Sequence, residues 1–328
     1  MSIRLGYQIP NFTYPGGRAQ DIAPTVIAQA REAEAAGFDA VFVMDHFYQL
    51  PGLGDPSEPM LEAYTLLGAL ATATERVQLS ALVTGNSYRN PTLLAKAVTT
   101  LDVVSGGRAV LGIGAGWFEL EHQQLGFEFG TFTDRFNRLD EALQILAPML
   151  HGERPTVTGR YYRAENAMNE PRLRDDLPIL IGGSGEKKTF RYAAQYAAHL
   201  NLICDDVLIP AKLEALAARC SEAGRDRTTL ETSFLAFVFL DENGDTARAL
   251  HRDYARARGL DLDALDEPTR MAATARHFVG SPDEVAEQVQ RRILDPGVDG
   301  VILNMVANGH IPGIVDLAGR TLSPLIQR

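Results

Sequence analysis

The sequence is poor in cysteine, and this scarcity limits the chemistry open to the chain. Only Cys204 and Cys220 occur among 328 residues. Two cysteines so placed match no metal-ligand motif and build no disulfide framework of the kind found in small secreted proteins. We therefore expect a protein of the reducing cytoplasm.

Positive charge and long apolar runs are also scarce. The chain has 31 Lys and Arg against 42 Asp and Glu, a formal net charge of −11. This balance argues against broad binding to nucleic acid or anionic membranes, since both attract cationic surfaces. No apolar run approaches the roughly 20 residues of a membrane span, and the first residues, "MSIRLGYQIP", lack a signal-peptide pattern. We expect neither nucleic acid nor a membrane as a partner.

Short apolar runs alternate with helix-like stretches along the whole chain, which predicts an α/β fold. The predicted strands are 3–9, 39–45, 77–84, 108–114, 177–182, 199–204, 232–240 and 299–305. Eight β/α units in order favour a (β/α)8 TIM barrel over an open doubly wound sheet. We predict one domain, 1–328, with insertions after strand four, before strand five (155–175, including a small hairpin) and after strand seven (259–276).

Strand two ends on an acid and an imidazole, in "FVMDHFYQL" (42–50). In a TIM barrel the active site lies at the carboxyl ends of the strands. Asp45 and His46 are therefore candidate catalytic residues, although a polar turn that simply closes the strand would show the same letters. Elsewhere the seven histidines are scattered, and the strand-end loops lack carboxylate clusters. We predict no metal site, because a metal hydrolase needs several such ligands to converge.

Two glycine-rich turns indicate close contact with a ligand. In "IGGSGEKKT" (181–189), glycines, Ser184 and the start of a helix predict a phosphate site, with an ordinary strand-to-helix turn as the alternative. In "LGIGAGW" (111–117) the pattern is G-x-G-x-G, which is not the dinucleotide fingerprint G-x-G-x-x-G. It indicates close approach of the backbone to a flat ligand.

Four motifs recur together and identify a family. They are Asp45-His46 after strand two, "SALVTGNSYRNP" after strand three, "LGIGAGWFELEHQQLG" after strand four, and "ILIGGSGEKKTFRYAAQYA". With "DRFNRLDEALQIL" between them, the chain resembles the bacterial luciferase-like superfamily over nearly its whole length. It is most similar to the branch that uses the deazaflavin coenzyme F420.

The resemblance implies a coenzyme site at the mouth of the barrel. The deazaflavin ring would lie over strands two to four, with its phosphate at the 182–185 loop. A non-proline cis peptide, expected at Ala81–Leu82, would support the ring, and Thr84 would lie near its polar edge. The implied cofactor-binding residues are Asp45, His46, Ala81, Leu82, Val83, Thr84, Gly114, Ala115, Gly116, Gly182, Gly183, Ser184 and Gly185.

The resemblance also implies roles for the strand-two pair and a substrate pocket. His46 matches the histidine that faces the reactive carbon in F420-dependent sugar-phosphate dehydrogenases, and Asp45 would contact the coenzyme or orient His46. The tryptophan and glutamate that serve the sugar in those enzymes are replaced here by Leu50 and Trp117. These departures predict a flatter, more apolar substrate. The predicted substrate pocket is Phe12, Leu50, Trp117 and Asn304.

The functional hypothesis is an oxidoreductase that transfers a hydride between C5 of F420 and a small organic substrate. His46 would donate or accept the accompanying proton. One alternative is an FMN-dependent monooxygenase of the same superfamily, supplied with reduced FMN by a partner reductase. A second alternative is a non-catalytic flavin-binding protein. The resemblance further implies a homodimer.

Overall fold

A mostly parallel sheet curls into a barrel surrounded by helices. The computed structural model describes residues 2–326. The strands are β1 Leu5–Ile9, β2 Ala40–Val43, β3 Gln78–Ala81, β4 Thr84–Gly85, β5 Leu111–Gly114, β6 Val157–Thr158, β7 Arg163–Ala164, β8 Ile179–Gly182, β9 His199–Leu202, β10 Glu231–Leu240, β11 His277–Gly280 and β12 Gly300–Asn304.

The helices cover the outside of this sheet, and they alternate with the strands along the chain. They are α1 Ala19–Ala35, α2 Ala63–Ala73, α3 Pro91–Ser105, α4 Glu119–Leu125, α5 Phe132–Leu150, α6 Thr189–Tyr196, α7 Ile209–Glu222, α8 Gly244–Arg256, α9 Glu267–Ala273, α10 Pro282–Val289 and α11 Ile314–Ile326. Within residues 2–326, no helix has the length and apolar character needed to cross a membrane.

The strand order explains how the sheet closes. The order is β3-β2-β1-β12-β10-β9-β8-β5-β4, so the path begins and ends on two pieces of one predicted strand, 77–84. Leu79 also bridges to Ala109 in parallel fashion, which joins β3 to the chain entering β5. The predicted TIM barrel is confirmed, and all eight predicted strands contribute to it.

Local signals in the sequence account for the helix limits. Helix α3 starts at Pro91 after Asn90, whose side chain accepts a hydrogen bond from the Thr92 N–H, and it ends at Gly106 in the left-handed conformation. Helix α5 starts with a capping box between Thr131 and Asp134. These caps fix the helices that follow barrel strands three and four, and so they fix the loops at the mouth.

The insertions contain more regular structure than the sequence predicts. The hairpin before strand five is confirmed as β6 and β7, which pair antiparallel. The insertion after strand seven holds α9, and it leads into β11, which pairs with residues 237–240 of β10. Strand β11 was not predicted, because four residues are too few to show the periodicity of a strand. This segment extends the wall of the barrel above the mouth.

The non-proline cis peptide lies one residue later than predicted. It joins Leu82 and Val83, whereas the resemblance placed it at Ala81–Leu82. Ala81 still pairs with Val43 in the ladder of β3, and the Leu82 N–H donates to the Val43 carbonyl at 2.8 Å. The regular strand therefore continues through residue 81, and the break falls after Leu82.

Candidate active site

A cavity of about 860 Å³ opens at the carboxyl ends of the barrel strands. Most of the predicted site residues line it, which brings together segments far apart in the sequence. The lining residues among those predicted are Asp45, His46, Leu50, Leu82, Val83, Thr84, Gly114, Ala115, Gly116, Trp117, Gly182, Gly183, Ser184, Gly185 and Asn304.

Two predicted residues lie away from the cavity wall. Phe12 is 1% exposed and packs in the main hydrophobic core, although the sequence placed it in the substrate pocket. Ala81 is also buried, inside the ladder of β3, and does not line the cavity. An aromatic side chain after strand one can pack in the hydrophobic core or line a ligand pocket, and the residue type alone does not distinguish these two positions.

His46 is held by a carboxylate that the sequence reasoning missed. The His46 Nδ1 lies 2.9 Å from Oε2 of Glu121, on the first turn of α4. The Glu121 side chain is fully buried, and the His46 side chain keeps 13% of its surface exposed. This contact fixes the imidazole ring, and the Nε2 has no hydrogen-bond partner in the part of the chain that the structure describes.

Glu121 is surrounded by hydrogen-bond donors. It accepts from the N–H groups of Phe47 and Tyr48 at 2.5 and 2.9 Å, and from the Tyr88 hydroxyl at 2.5 Å. Burial by itself would raise the pKa of Glu121, but the hydrogen bond and charge of His46, with the bonds from Tyr88 and Tyr48, bring that pKa below its usual range. Glu121 is therefore a carboxylate at neutral pH. Burial and the same carboxylate raise the pKa of Tyr88.

Within residues 2–326, the Asp45 side chain forms hydrogen bonds with an arginine and a backbone N–H, and none with the His46 ring. Its two oxygens accept from Arg89 at 2.6 and 2.9 Å, and one of them also accepts from the Gly85 N–H at 3.0 Å. Arg89 in turn donates to Glu62 at 2.6 Å. Of the two roles implied for Asp45, orientation of His46 falls to Glu121 instead. Asp45 ties the end of β2 to the turn that follows β4.

Two of the predicted glycines make room for Val83. A Cβ atom at Gly114 would lie 3.0 Å from a Val83 methyl group, and one at Gly182 would lie 2.8 Å from the other. Gly116 adopts φ +79°, which favours glycine, and a Cβ there would meet the Ser87 hydroxyl at 2.5 Å. The glycines of strands four and five therefore let the chain at residue 83 bulge into the cavity.

The loop between β8 and α6 presents unused hydrogen-bond donors to the cavity. Within residues 2–326, the N–H groups of Ser184 and Gly185 and the hydroxyls of Ser184 and Thr189 have no hydrogen-bond partner. Gly183 has φ +132°, which favours glycine, and Ser184, Gly185 and Thr189 all line the cavity. Four donors at the start of a helix fit a phosphate group.

The other three predicted substrate residues, Leu50, Trp117 and Asn304, line the cavity. Trp117 is 58% exposed at the rim, with its ring 5.9 Å from the His46 ring. Leu50 is half-buried and packs against the cluster of Met44, Leu53, Phe239 and Val306. Asn304 donates to Gln8 at 2.9 Å, and its Oδ1 is buried without a hydrogen-bond partner in residues 2–326. Thr84 also lines the cavity, and its hydroxyl forms a hydrogen bond of 2.7 Å with the Tyr64 hydroxyl.

Comparison with known proteins identifies the family of the chain. The profile of the family described as luciferase-like monooxygenase matches residues 3–300. The chain is 33% identical over 278 residues to an F420-dependent glucose-6-phosphate dehydrogenase of Microbacterium testaceum, covering 80% of this chain and 81% of that protein. It is 27% identical over 325 residues to pyrimidine monooxygenase RutA of Stutzerimonas stutzeri, covering 92% and 88%.

The solved structures share the barrel. A structure described as an F420-dependent secondary alcohol dehydrogenase in complex with an F420–acetone adduct aligns with a TM-score of 0.78 at 22% identity, over 98% of this chain and 99% of that chain. The family match covers most of the chain, and it agrees with the resemblance seen in the sequence motifs. The chain belongs to the luciferase-like monooxygenase family and is an oxidoreductase.

Proposed function

We propose that this oxidoreductase transfers a hydride between C5 of coenzyme F420 and a small organic substrate, with His46 as the proton donor or acceptor. The observation that carries the proposal is the His46–Glu121 contact of 2.9 Å at the wall of the barrel-mouth cavity. The relative from Microbacterium testaceum, named for its dependence on F420, supports the choice of coenzyme.

The residues of this chain fit such a group. The donors of Ser184, Gly185 and Thr189 would hold its phosphate, while the backbone from Leu82 to Thr84 and from Gly114 to Gly116 would contact its ring system. When bound, F420 would supply the hydride-transfer chemistry. The protein would supply the binding, the orientation and the proton.

His46 is suited to move that proton. Its Nδ1 faces a permanent carboxylate, so the neutral imidazole keeps its hydrogen on Nδ1 and an acceptor at Nε2. Protonation at Nε2 gives an imidazolium that Glu121 stabilises by charge. The ring can accept a proton at Nε2 or return it, which suits reaction in either direction.

The cavity walls favour a substrate that is flatter and more apolar than a sugar phosphate. Leu50 stands where the resemblance places the sugar-binding tryptophan, and Trp117 stands where it places the glutamate. Leu235 and Phe237 of β10 extend the apolar surface on the opposite side. Ketones, secondary alcohols and molecules with an activated C=C or C=N bond are the substrate classes that we propose to screen.

Titration of the purified protein with oxidised F420, followed by coenzyme fluorescence and run in parallel with FMN, tests the coenzyme. We expect F420 to bind at least about tenfold more tightly than FMN, which corresponds to roughly 1.4 kcal/mol. Gly183→Ala is expected to weaken F420 binding. A residue with a side chain is strained at φ +132°, so the substitution should distort the loop that carries the phosphate donors. Gly224→Ala, at a positive-φ turn after α7, controls for strain alone.

An FMN-dependent monooxygenase is the second candidate, and the similarity to RutA favours it. The same phosphate loop and barrel mouth would serve FMN. Preference for FMN in the titration, together with oxygen consumption when reduced FMN is supplied, would replace the F420 proposal with this one. Homodimerisation and residence in the cytoplasm stay predictions from the sequence.

Replacing Glu121 by glutamine is expected to lower kcat at least about tenfold, since the imidazole then loses the charge that holds its tautomer and stabilises its cation. F420 affinity should stay close to that of the wild type, because Glu121 does not line the cavity. Glu119→Gln is the matched control, because Glu119 lies on the same helix but is exposed. Equal losses in both variants would show a general weakening of α4 and would contradict the positioning role.

A further inference from the structure

Two histidines that the proposed reaction does not use form a pair at the far side of the cavity. His277 starts β11 and lines the cavity, and His251 lies on α8 behind it. The His251 Nε2 and the His277 Nδ1 are 2.8 Å apart, with the rings nearly perpendicular. The His277 Nε2 has no hydrogen-bond partner within residues 2–326.

The surrounding structure fixes this pair firmly. Arg292 donates to the carbonyls of Ala275 and His277, each at 2.8 Å, and the Arg276 carbonyl accepts from the Phe237 N–H at 2.9 Å. Both imidazoles also pack against the ring of Phe239. The side chain of His277 is thus held in a defined position at the cavity wall.

Both imidazoles are neutral near pH 7. Burial, followed by the charge of Arg252 on the same helix, lowers the pKa of His251. Burial, followed by His251 and then by Arg276 and Arg292, lowers the pKa of His277. No carboxylate within residues 2–326 forms an ion pair with either ring.

A neutral pair that shares one hydrogen bond has two arrangements of its protons. If the His277 Nδ1 donates to His251, the Nε2 of His277 is an acceptor toward the cavity. If the His251 Nε2 donates instead, the Nε2 of His277 carries a hydrogen and is a donor. The cavity-facing nitrogen can therefore bind either a hydrogen-bond acceptor or a donor without any change of net charge.

We propose that the Nε2 of His277 binds a neutral oxygen of the substrate, a carbonyl or a hydroxyl, and that His251 is the positioning residue that lets His277 serve as donor or acceptor. The same cavity is lined by the apolar residues Leu235, Phe237, Leu260 and Leu262 and by Arg258 and Arg276, so the anionic probe in the test below decides whether this wall binds a neutral oxygen or an anion. This inference rests on the proposed function for the identity of the reaction, but the binding position itself does not depend on F420.

A matched pair of substitutions separates the two nitrogens of His277. The amide of His277→Asn reaches the position of Nδ1, so it keeps the contact with His251 and loses the cavity-facing atom. The amide of His277→Gln reaches the position of Nε2, so it keeps the cavity-facing donor and loses the contact with His251. A purely structural role for the pair would make the glutamine variant at least as damaging as the asparagine variant.

The test follows ring-¹⁵N-labelled histidines of the full chain by NMR, with and without saturating F420. The His251 and His277 signals are assigned with His251→Phe and His277→Asn. The probes are 2-cyclohexen-1-one, cyclohexanol and, as an anionic counterpart of the same size, cyclohexanecarboxylate. We expect both neutral probes to shift the His277 Nε2 signal, with the enone increasing its hydrogen-bearing form. His277→Asn should weaken binding of the enone about tenfold, and His277→Gln should weaken it less.

Three results would overturn the proposal. They are neutral probes that bind without moving the His277 signals, binding of the carboxylate alone, and an absence of any response to the neutral probes. The fluorescence titration with F420 is a separate readout. If the protein fails to bind F420 but the His277 signals respond to the probes, the proposed function is wrong and the His277 site is retained. If the protein binds F420 but the His277 signals do not respond, the His277 site is wrong and the proposed function is retained.

Discussion

His46→Ala is expected to lower kcat for hydride transfer by about 10²–10⁴-fold, the usual contribution of a positioned general acid or base. The affinity for F420 should change little, because the phosphate donors of the 182–185 loop remain intact. The measurement is steady-state turnover with a substrate from the screen, combined with F420 fluorescence titration of the same variant.

The geometry of His46 makes this the variant with the largest expected effect on activity. Its ring is fixed by Glu121 on one nitrogen and keeps the other free at the cavity. His310→Ala is the matched control, because His310 packs beside Tyr14 and does not line the cavity. Added imidazole should restore part of the activity of His46→Ala, since the missing group would then diffuse into the space that the substitution leaves.

Other outcomes separate the alternatives. Unchanged turnover in His46→Ala with intact F420 binding would remove His46 from the chemistry while keeping the coenzyme. If the wild type shows no turnover and His46→Ala loses F420 binding, a non-catalytic flavin-binding protein would be favoured. The pairing with Glu121 argues against that last alternative, because this buried carboxylate already has three other donors, from Phe47, Tyr48 and Tyr88, and has no need of a histidine for its own stability.

Features that depend on residues close together in the sequence were predictable from it. The barrel strands are continuous apolar runs, because a parallel sheet is buried on both faces, and glycine or proline marks many of the helix ends. The position of His46 at the mouth followed from the end of strand two. The glycines of strand four were also recognised, although two of the predicted glycines, Gly114 and Gly182, proved to accommodate Val83.

Features that depend on contacts between distant residues were not predictable. Glu121 lies 75 residues from His46, and its motif holds a second glutamate, Glu119, that is exposed. Asp45 and Arg89 lie 44 residues apart, so the sequence showed each without its partner. The His251–His277 pair depends on β11, whose four residues carry no readable period.

Arg89→Met is expected to lower the free energy of unfolding by about 3–5 kcal/mol, the usual result of removing one partner from a buried ion pair. Asp45 is 2% exposed and would retain only the Gly85 N–H as a partner. Burial lowers the pKa of Arg89, but Asp45 and then Glu62 raise it above its usual range, so the guanidinium is firmly charged in the native protein. Denaturant unfolding followed by tryptophan fluorescence and circular dichroism measures the change.

The double variant Asp45→Asn/Arg89→Met decides what Asp45 does. If the cost of Arg89→Met comes from an unpaired buried charge, neutralising Asp45 in the same chain should recover much of the stability. Arg18→Met, in an exposed pair with Asp21, is the control and should cost less than about 1 kcal/mol. If Asp45→Asn instead leaves stability unchanged and weakens F420 binding, Asp45 contacts the coenzyme.

Loss of the Asp45–Arg89 pair should also reduce kcat. Asp45 joins β2 to the turn after β4 directly beside His46, so loss of the pair should displace the imidazole from Glu121.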